Sequence, residues 1–169
     1  MLRAHLLADT HELHSARVGH NVGVQANAQV RSDDTCWLAH APDDASERDA
    51  VAAVNALRVH LNEALFLGAQ EVELHFARYA PGAFYRMHRD RFRDDDARLV
   101  SLVFYLNEDW VDGAGGALVL YADDDRGTAI TRVQPRAGTM VCFLSDQFPH
   151  EVLPANRERL SLTGWLRRA

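Results

Sequence analysis

The sequence predicts an antiparallel β barrel or jelly roll with helices packed against it, and three observations predict it. After Gly68 the chain breaks into short strand-forming runs separated by turns rich in Gly, Pro and Asp. Helical periodicity is confined to two segments before Gly68. Strands and helices do not alternate, which removes the βα units of a parallel sheet.

The elements follow in order. Residues 2–14 form a short helix with Leu2, Leu6 and Leu13 inward. Residues 22–30 are small and amide-rich, a loop and edge strand. Residues 35–38 (Thr35-Cys36-Trp37-Leu38) form a buried strand, and residues 42–45 a turn. Ser46 with Asp49 three residues on has the form of a capping box. Val51, Val54, Leu57, Leu61 and Leu65 make an apolar stripe at helical spacing, and Gly68 stops the helix. Its other side carries Arg48, Asn55, Arg58 and Asn62. The period then changes to two. Val72, Leu74, Phe76 and Arg78 oppose Glu71, Glu73, His75 and Ala77, and Tyr79 closes the strand before Pro81-Gly82. Further strands cover 99–106, 117–121, 129–133, 139–144 and 160–166. Residues 111–116 are a loop and 135–138 a turn. Acidic runs at 94–96 and 123–125 fall in loops as solvated turns, the first placed to steer a basic substrate segment.

With 169 residues, 47% of them hydrophobic, the chain is expected to make a single domain over 1–169. Residues 1–68 give helical support and 69–167 the jelly-roll core. No run approaches the roughly 18 apolar residues of a membrane span. The first residues turn polar too early for a signal peptide. A net charge of −6 disfavours nucleic-acid binding. Cys36 and Cys142 lie in apolar runs without a CxxC pair and read as buried thiols outside any disulfide, in keeping with a reducing, cytoplasmic setting.

His88, Asp90 and His150 carry the chemistry. Two imidazoles and a carboxylate are the usual protein face for a non-haem Fe(II) that keeps open positions. In an extended segment His88 and Asp90 point to one side, with Arg89 away from it. His150 must arrive from a neighbouring strand. Arg159 then begins an alternation in which Arg159, Ser161, Thr163 and Trp165 share one face, and Leu160, Leu162, Gly164 and Leu166 the other. An arginine pointing into a barrel requires an anion. A dicarboxylate chelating iron at one end and pairing with Arg159 at the other supplies it. Tyr79 and Tyr85 flank the turn before the metal residues, and Tyr105 can reach the distal carboxylate from a core strand. An arginine paired with a protein carboxylate is the plainer alternative.

These residues sit in a longer text: Arg78-Tyr79-x-x-Gly82-x-x-Tyr85-x-x-His88-x-Asp90, then Phe104-Tyr105-Leu106-Asn107-x-Asp109-Trp110, Gly115-Gly116-x-Leu118 and Pro135-x-x-Gly138. Phe143-x-Ser145-Asp146, Pro149-His150-Glu151-Val152 and Arg159-x-Ser161-x-Thr163-x-Trp165 complete it. Over roughly 29–167 the chain resembles the prolyl-hydroxylase-like branch of the Fe(II)/2-oxoglutarate dioxygenases, which includes the oxygen-sensing prolyl hydroxylases and bacterial relatives. The resemblance implies a double-stranded β-helix, a jelly roll of the cupin-like kind. It implies iron on His88, Asp90 and His150, and 2-oxoglutarate held by Arg159 and Tyr105 with Tyr79, Thr163 and Trp165 around it. Tyr85, Arg98 and Asp33 come in on the substrate side, with Asp33 paired to Arg98. The stretch from His88 to Tyr105 is slightly longer than in the oxygen sensors, and the N-terminal region is shorter.

The implied reaction consumes O2 and 2-oxoglutarate, releases succinate and CO2 and hydroxylates a C–H bond. Ascorbate is a candidate reductant. The resemblance favours a prolyl residue of a protein as substrate and a monomer or homodimer, with no nucleic-acid or membrane partner. A free amino acid as substrate, a noncatalytic metal-containing jelly-roll module and a zinc hydrolase stay open at this point.

Overall fold

The computed structural model describes residues 2–7, 12–17, 27–91, 96–124 and 126–169. Its elements are α1 (Leu2–Leu7), β1 (His14–Ser15), β2 (Asp34–Trp37), α2 (Ala45–Leu65), β3 (Glu71–Tyr79), β4 (Tyr85–His88), β5 (Arg98–Tyr105), β6 (Leu118–Tyr121), β7 (Ala129–Val133), β8 (Met140–Leu144), β9 (His150–Val152) and β10 (Arg159–Arg167). A six-stranded sheet runs β1-β2-β3-β10-β5-β8 and a four-stranded sheet β4-β9-β6-β7. Every strand pair is antiparallel. This is the antiparallel jelly-roll core that the turn-punctuated strand runs predict.

The two sheets close on one another over a shared cluster. Ala77, Tyr79, Val103, Tyr105 and Phe143 come from the larger sheet, and Leu118, Leu120 and Val152 from the smaller. The outer face of the larger sheet is covered by helix. Leu74, Phe76, Leu160 and Leu162 pack there with Leu6, Val51 and Val54, and Val100, Leu102 and Leu166 with Leu57 and Leu61. The central strands β3, β10 and β5 are therefore apolar on the helix-covered face, while their other face also carries polar groups such as His75, Arg159 and Thr163. The alternation along β10 holds: Leu160, Leu162 and Leu166 face the helices. At Gly164 an added Cβ would lie 1.9 Å from the Glu73 carbonyl oxygen, so the close approach of β3 admits no side chain there.

Several local expectations need correction. The helix cap is Asp44, not Ser46: its carboxylate accepts from the amides of Ser46 and Glu47, at 2.8 and 3.1 Å. The left-handed C-cap residue is Phe66 (φ 54°), whose amide donates to the Asn62 carbonyl, and Gly68 comes two residues later. The polar side of α2 is not simply solvated. Asn62 and Arg58 donate to the Ala69 carbonyl at 2.7 and 2.9 Å, and Asn62 accepts from the Ala69 amide, which lashes the α2–β3 connection to the helix. Leu65, the last of the stripe, is exposed.

Among the described residues the N-terminal helix spans Leu2–Leu7, and Leu13 reaches the core from the residues just before β1. Neither cysteine is in a disulfide, but both are more open than expected: Cys36 is half-buried and Cys142 exposed, and Trp37 beside Cys36 is 55% exposed. Both strands lie toward the margins of their sheet, where one face lacks cover. Residues 8–11, most of the 22–30 stretch, and parts of both acidic runs lie outside the described residues. Asp96 and Asp123 of those runs are exposed, as solvated turns require, and form surface ion pairs (Asp96 with Arg91 and Arg168, Asp123 with Arg89). Among the described residues no helix is long and apolar enough to cross a membrane.

Candidate metal centre

His88 ends β4 and His150 begins β9, and the two are register partners across the smaller sheet. Pairing across that sheet brings together two histidines 62 positions apart in the chain. Asp90 follows two residues after His88 and is buried. Nε2 of His88 lies 3.4 Å from one Asp90 oxygen, and Nε2 of His150 lies 3.5 Å from the other. One ligand atom from each residue falls within 4.8 Å of the other two. Ligands about 2.1 Å from an ion and at right angles stand about 3 Å apart, so the three can share one ion with little movement.

The surrounding hydrogen bonds fix which atoms face inward. Nδ1 of His88 is 2.7 Å from the Arg86 carbonyl, and Nδ1 of His150 is 3.0 Å from the Phe148 carbonyl. A carbonyl only accepts, so each Nδ1 carries the proton and each Nε2 presents a lone pair toward Asp90. Ser101 Oγ donates to Oδ2 of Asp90 at 2.6 Å. Burial alone would raise the Asp90 pKa, but His150 and His88, whenever they carry a second proton, and the Ser101 bond outweigh it and hold the carboxyl well below its ordinary range. Burial lowers the His150 pKa, favouring the neutral imidazole that a metal needs. Tyr85 stacks on His88, with ring centroids 3.5 Å apart and planes 14° from parallel, and so holds the ring in place.

Arg159 opens β10 opposite Tyr79 and is 2% exposed. Its Nε donates to the Gly116 carbonyl at 3.1 Å. Among the described residues no carboxylate pairs with it. That sets aside the plainer reading of an arginine satisfied by a protein acid. The guanidinium lies over the rings of Tyr79 and Tyr105, 4.8 and 5.0 Å from their centroids. The Tyr105 hydroxyl is buried without a partner beside it. Gly116 (φ 71°) makes this approach possible, because a Cβ there would meet Ala155 and Trp110 at 3.0 Å and the Arg159 side chain at 3.4 Å.

A single cavity of about 960 Å³ is lined by His88, Asp90, His150, Arg159, Thr163 and Trp165. Tyr79, Tyr85 and Arg98 also reach its wall. Tyr105 sits behind Arg159 and does not line it. Ser161 and Thr163 face each other at 3.2 Å. The Trp165 indole N–H is buried without a partner, its ring stacked on His75 and covered by Arg98 at 3.5 Å.

Asp33 does not pair with Arg98 and is not on the cavity wall. Its buried carboxylate is held by Arg31, Nε to Oδ1 at 2.8 Å and Nη2 to Oδ2 at 2.6 Å. Two residues of separation along the segment entering β2 place the Arg31 fork on that acid, while Arg98 turns to Trp165 and the Asp90 carbonyl. Sequence reasoning missed Arg31, Ser101, Trp37 and His75. Counting back by two from Tyr79 and Tyr105 would have placed His75 and Ser101 on the inner face. Nothing in the sequence pointed to Arg31.

The donor set and the cavity fit one divalent metal beside one small dicarboxylate. The three inward ligand atoms leave the cavity side open, and the buried guanidinium on the cavity wall calls for an anion.

Comparisons agree with this arrangement. The 2OG-Fe(II) oxygenase superfamily matches residues 74–167. The chain is 30% identical over 146 residues to a hypoxia-inducible factor prolyl hydroxylase of Caenorhabditis elegans, covering 80% of this chain and 20% of that protein. It is 34% identical over 86 residues to Egl nine homolog 1 of Homo sapiens, covering 50% of this chain and 20% of that one. The chain thus spans about a fifth of the length of these curated relatives. Among solved structures it is similar to a prolyl-4-hydroxylase of Pseudomonas putida, at 47% identity and TM-score 0.81, over 94% of this chain and 78% of that one. It also shares the fold of a prolyl hydroxylase of Trichoplax adhaerens, at 23% identity and TM-score 0.82, over 98% of this chain and 75% of that one.

Proposed function

This chain belongs to the 2OG-Fe(II) oxygenase superfamily, and we propose that it is an Fe(II)- and 2-oxoglutarate-dependent dioxygenase that hydroxylates a prolyl residue in a protein. One observation carries the reading of the chemistry. A buried arginine that no carboxylate among the described residues neutralises shares a cavity with two imidazoles and a carboxylate poised for one metal.

His88, Asp90 and His150 hold the iron through Nε2, a carboxylate oxygen and Nε2. Arg159 holds the distal carboxylate of 2-oxoglutarate with its terminal nitrogens, and the Tyr105 hydroxyl gives a further donor after a small movement. Tyr79, Thr163 and Trp165 wall the cosubstrate. Tyr85 and Arg98 lie at the rim, where substrate enters. When bound, the iron with 2-oxoglutarate and O2 supplies the oxidation that turns C–H into C–OH, with succinate and CO2 as the other products. The chain's part is to fix the two ends of the cosubstrate, hold Asp90 ionised and, by burial, favour the neutral form of His150.

The names and degree of likeness of the Pseudomonas putida and Caenorhabditis elegans proteins support a prolyl target. The test is incubation with Fe(II), 2-oxoglutarate, ascorbate and cell protein, read by mass spectrometry. Prolyl peptides heavier by one oxygen are the expected product. Succinate release with free proline, and none with protein, would overturn the choice of substrate.

A further inference from the structure

Phe143-x-Ser145-Asp146 stands out in the sequence, yet the reaction gives it no task. Its three named residues touch the surroundings of two metal-site groups, Phe143 that of His150 and Ser145 and Asp146 that of Asp90. Phe143 meets the His150 ring edge-on, centroids 4.8 Å apart at 67°. Ser145 is fully buried, and its hydroxyl is 2.9 Å from that of Ser101. Asp146 receives Arg89 on its carbonyl at 2.7 Å and Arg91 on its carboxylate at 3.0 Å, and these arginines flank Asp90. The Arg91 amide also donates to the Ser145 carbonyl at 3.3 Å. The β8–β9 turn is thus stitched to the segment that carries Asp90.

The direction of the buried serine chain can be derived. The Asp90 carboxylate is ionised and can only accept, so the one hydroxyl proton of Ser101 goes to Oδ2. Ser101 must then accept from Ser145. The chain runs Ser145 to Ser101 to Asp90, each bond polarising the next. Oδ2 is anchored in this way, which fixes how the carboxylate faces the Nε2 atoms of His88 and His150.

We propose that Ser145 is a positioning residue of the metal centre: acting through Ser101, it holds the Asp90 carboxylate so that one oxygen is presented to the ion. This rests on the reading of His88, Asp90 and His150 as ligands. Loss of the chain lets the carboxylate turn, which weakens metal binding and lets a second oxygen fill a position meant for the cosubstrate.

The experiment is anaerobic Co(II) titration of the full chain, followed by 2-oxoglutarate, for wild type, Ser145→Ala, Ser101→Ala, the double variant and His88→Ala. Affinity, the visible Co(II) band and Tm are read for each. Each serine variant should lose about tenfold in Co(II) affinity, show an altered band and respond less to 2-oxoglutarate. The double variant should bind within about twofold of Ser101→Ala alone, since Ser145 acts only through Ser101. A Ser145→Ala protein with wild-type affinity and band, whatever its Tm, overturns the proposal. So does a double variant whose loss is the product of the two single losses. Equal binding by wild type and His88→Ala would instead bring down the metal-site reading itself.

Discussion

Replacing Arg159 by Met tests the carboxylate clamp most directly. The side chain is fully buried, its Nε is used on Gly116, and its terminal nitrogens are open to a ligand. A bidentate pair with 2-oxoglutarate makes two charge-assisted bonds of about 1.5–3 kcal/mol each, so the variant loses about 3–6 kcal/mol, or roughly 10²- to 10⁴-fold in affinity. At a cosubstrate concentration 100 times the wild-type Kd, binding stabilises the wild type by about 2.7 kcal/mol. In a domain of this size that raises Tm by about 5–11 °C. In Arg159→Met the same concentration is at most about one Kd, and the gain falls to about 0.4 kcal/mol or less, roughly 1–2 °C. Differential scanning fluorimetry with Mn(II) present and 2-oxoglutarate varied reads both. Mn(II) affinity without 2-oxoglutarate should match wild type. A Tm response to 2-oxoglutarate that is unchanged in the variant would refute the clamp.

Three further predictions concern the frame around the site. His75 is buried, and burial, with Arg31 and Arg98 nearby, pushes its pKa down from 6.5 to about 3. Between those values the unfolded chain binds a proton that the folded one does not. Stability is therefore full above pH 6.5 and falls as pH drops, by about 2 kcal/mol at pH 5 relative to pH 7.5. His75→Gln should remove that part of the acid loss, and urea titrations at the two pH values with parallel losses in both proteins would contradict it. Asp33→Asn leaves the Arg31 guanidinium, only 12% exposed, without its counter-charge and should cost about 3–5 kcal/mol in denaturant unfolding; a loss under 1 kcal/mol would show the pair to be dispensable. Gly164→Ala forces a methyl against the β3 backbone and should destabilise by at least about 3 kcal/mol or abolish folding, with a wild-type Tm as the contrary result.

Strands, the long helix and the cluster of His88 with Asp90 were largely legible in the sequence because each is written in a local period or spacing. Alternation along β10 sends Arg159, Thr163 and Trp165 inward whatever the rest of the chain does. A two-residue step puts His88 and Asp90 on one side for the same reason. The misses have a common form. Asp44 rather than Ser46 caps α2, although both can cap, because the choice depends on where the preceding turn delivers the backbone. Phe66 takes the left-handed position that Gly68 would accept at less cost, because the bonds from Asn62 and Arg58 to Ala69 fix where the helix ends.

The sequence by itself determined the barrel class, the shared side of His88 and Asp90 and the inward arginine, since those follow from how backbone geometry points successive side chains, whereas His150 joins them through the pairing of β4 with β9. Only the tertiary structure decided that Asp33 takes Arg31, that Ser145 reaches Asp90 through Ser101, and that Cys36, Cys142 and Trp37 are less covered than their apolar runs suggest. Hydrogen-bond partners and exposure are set by which strands lie side by side and which faces stay uncovered. That information belongs to the closed sheets and to no single stretch of chain.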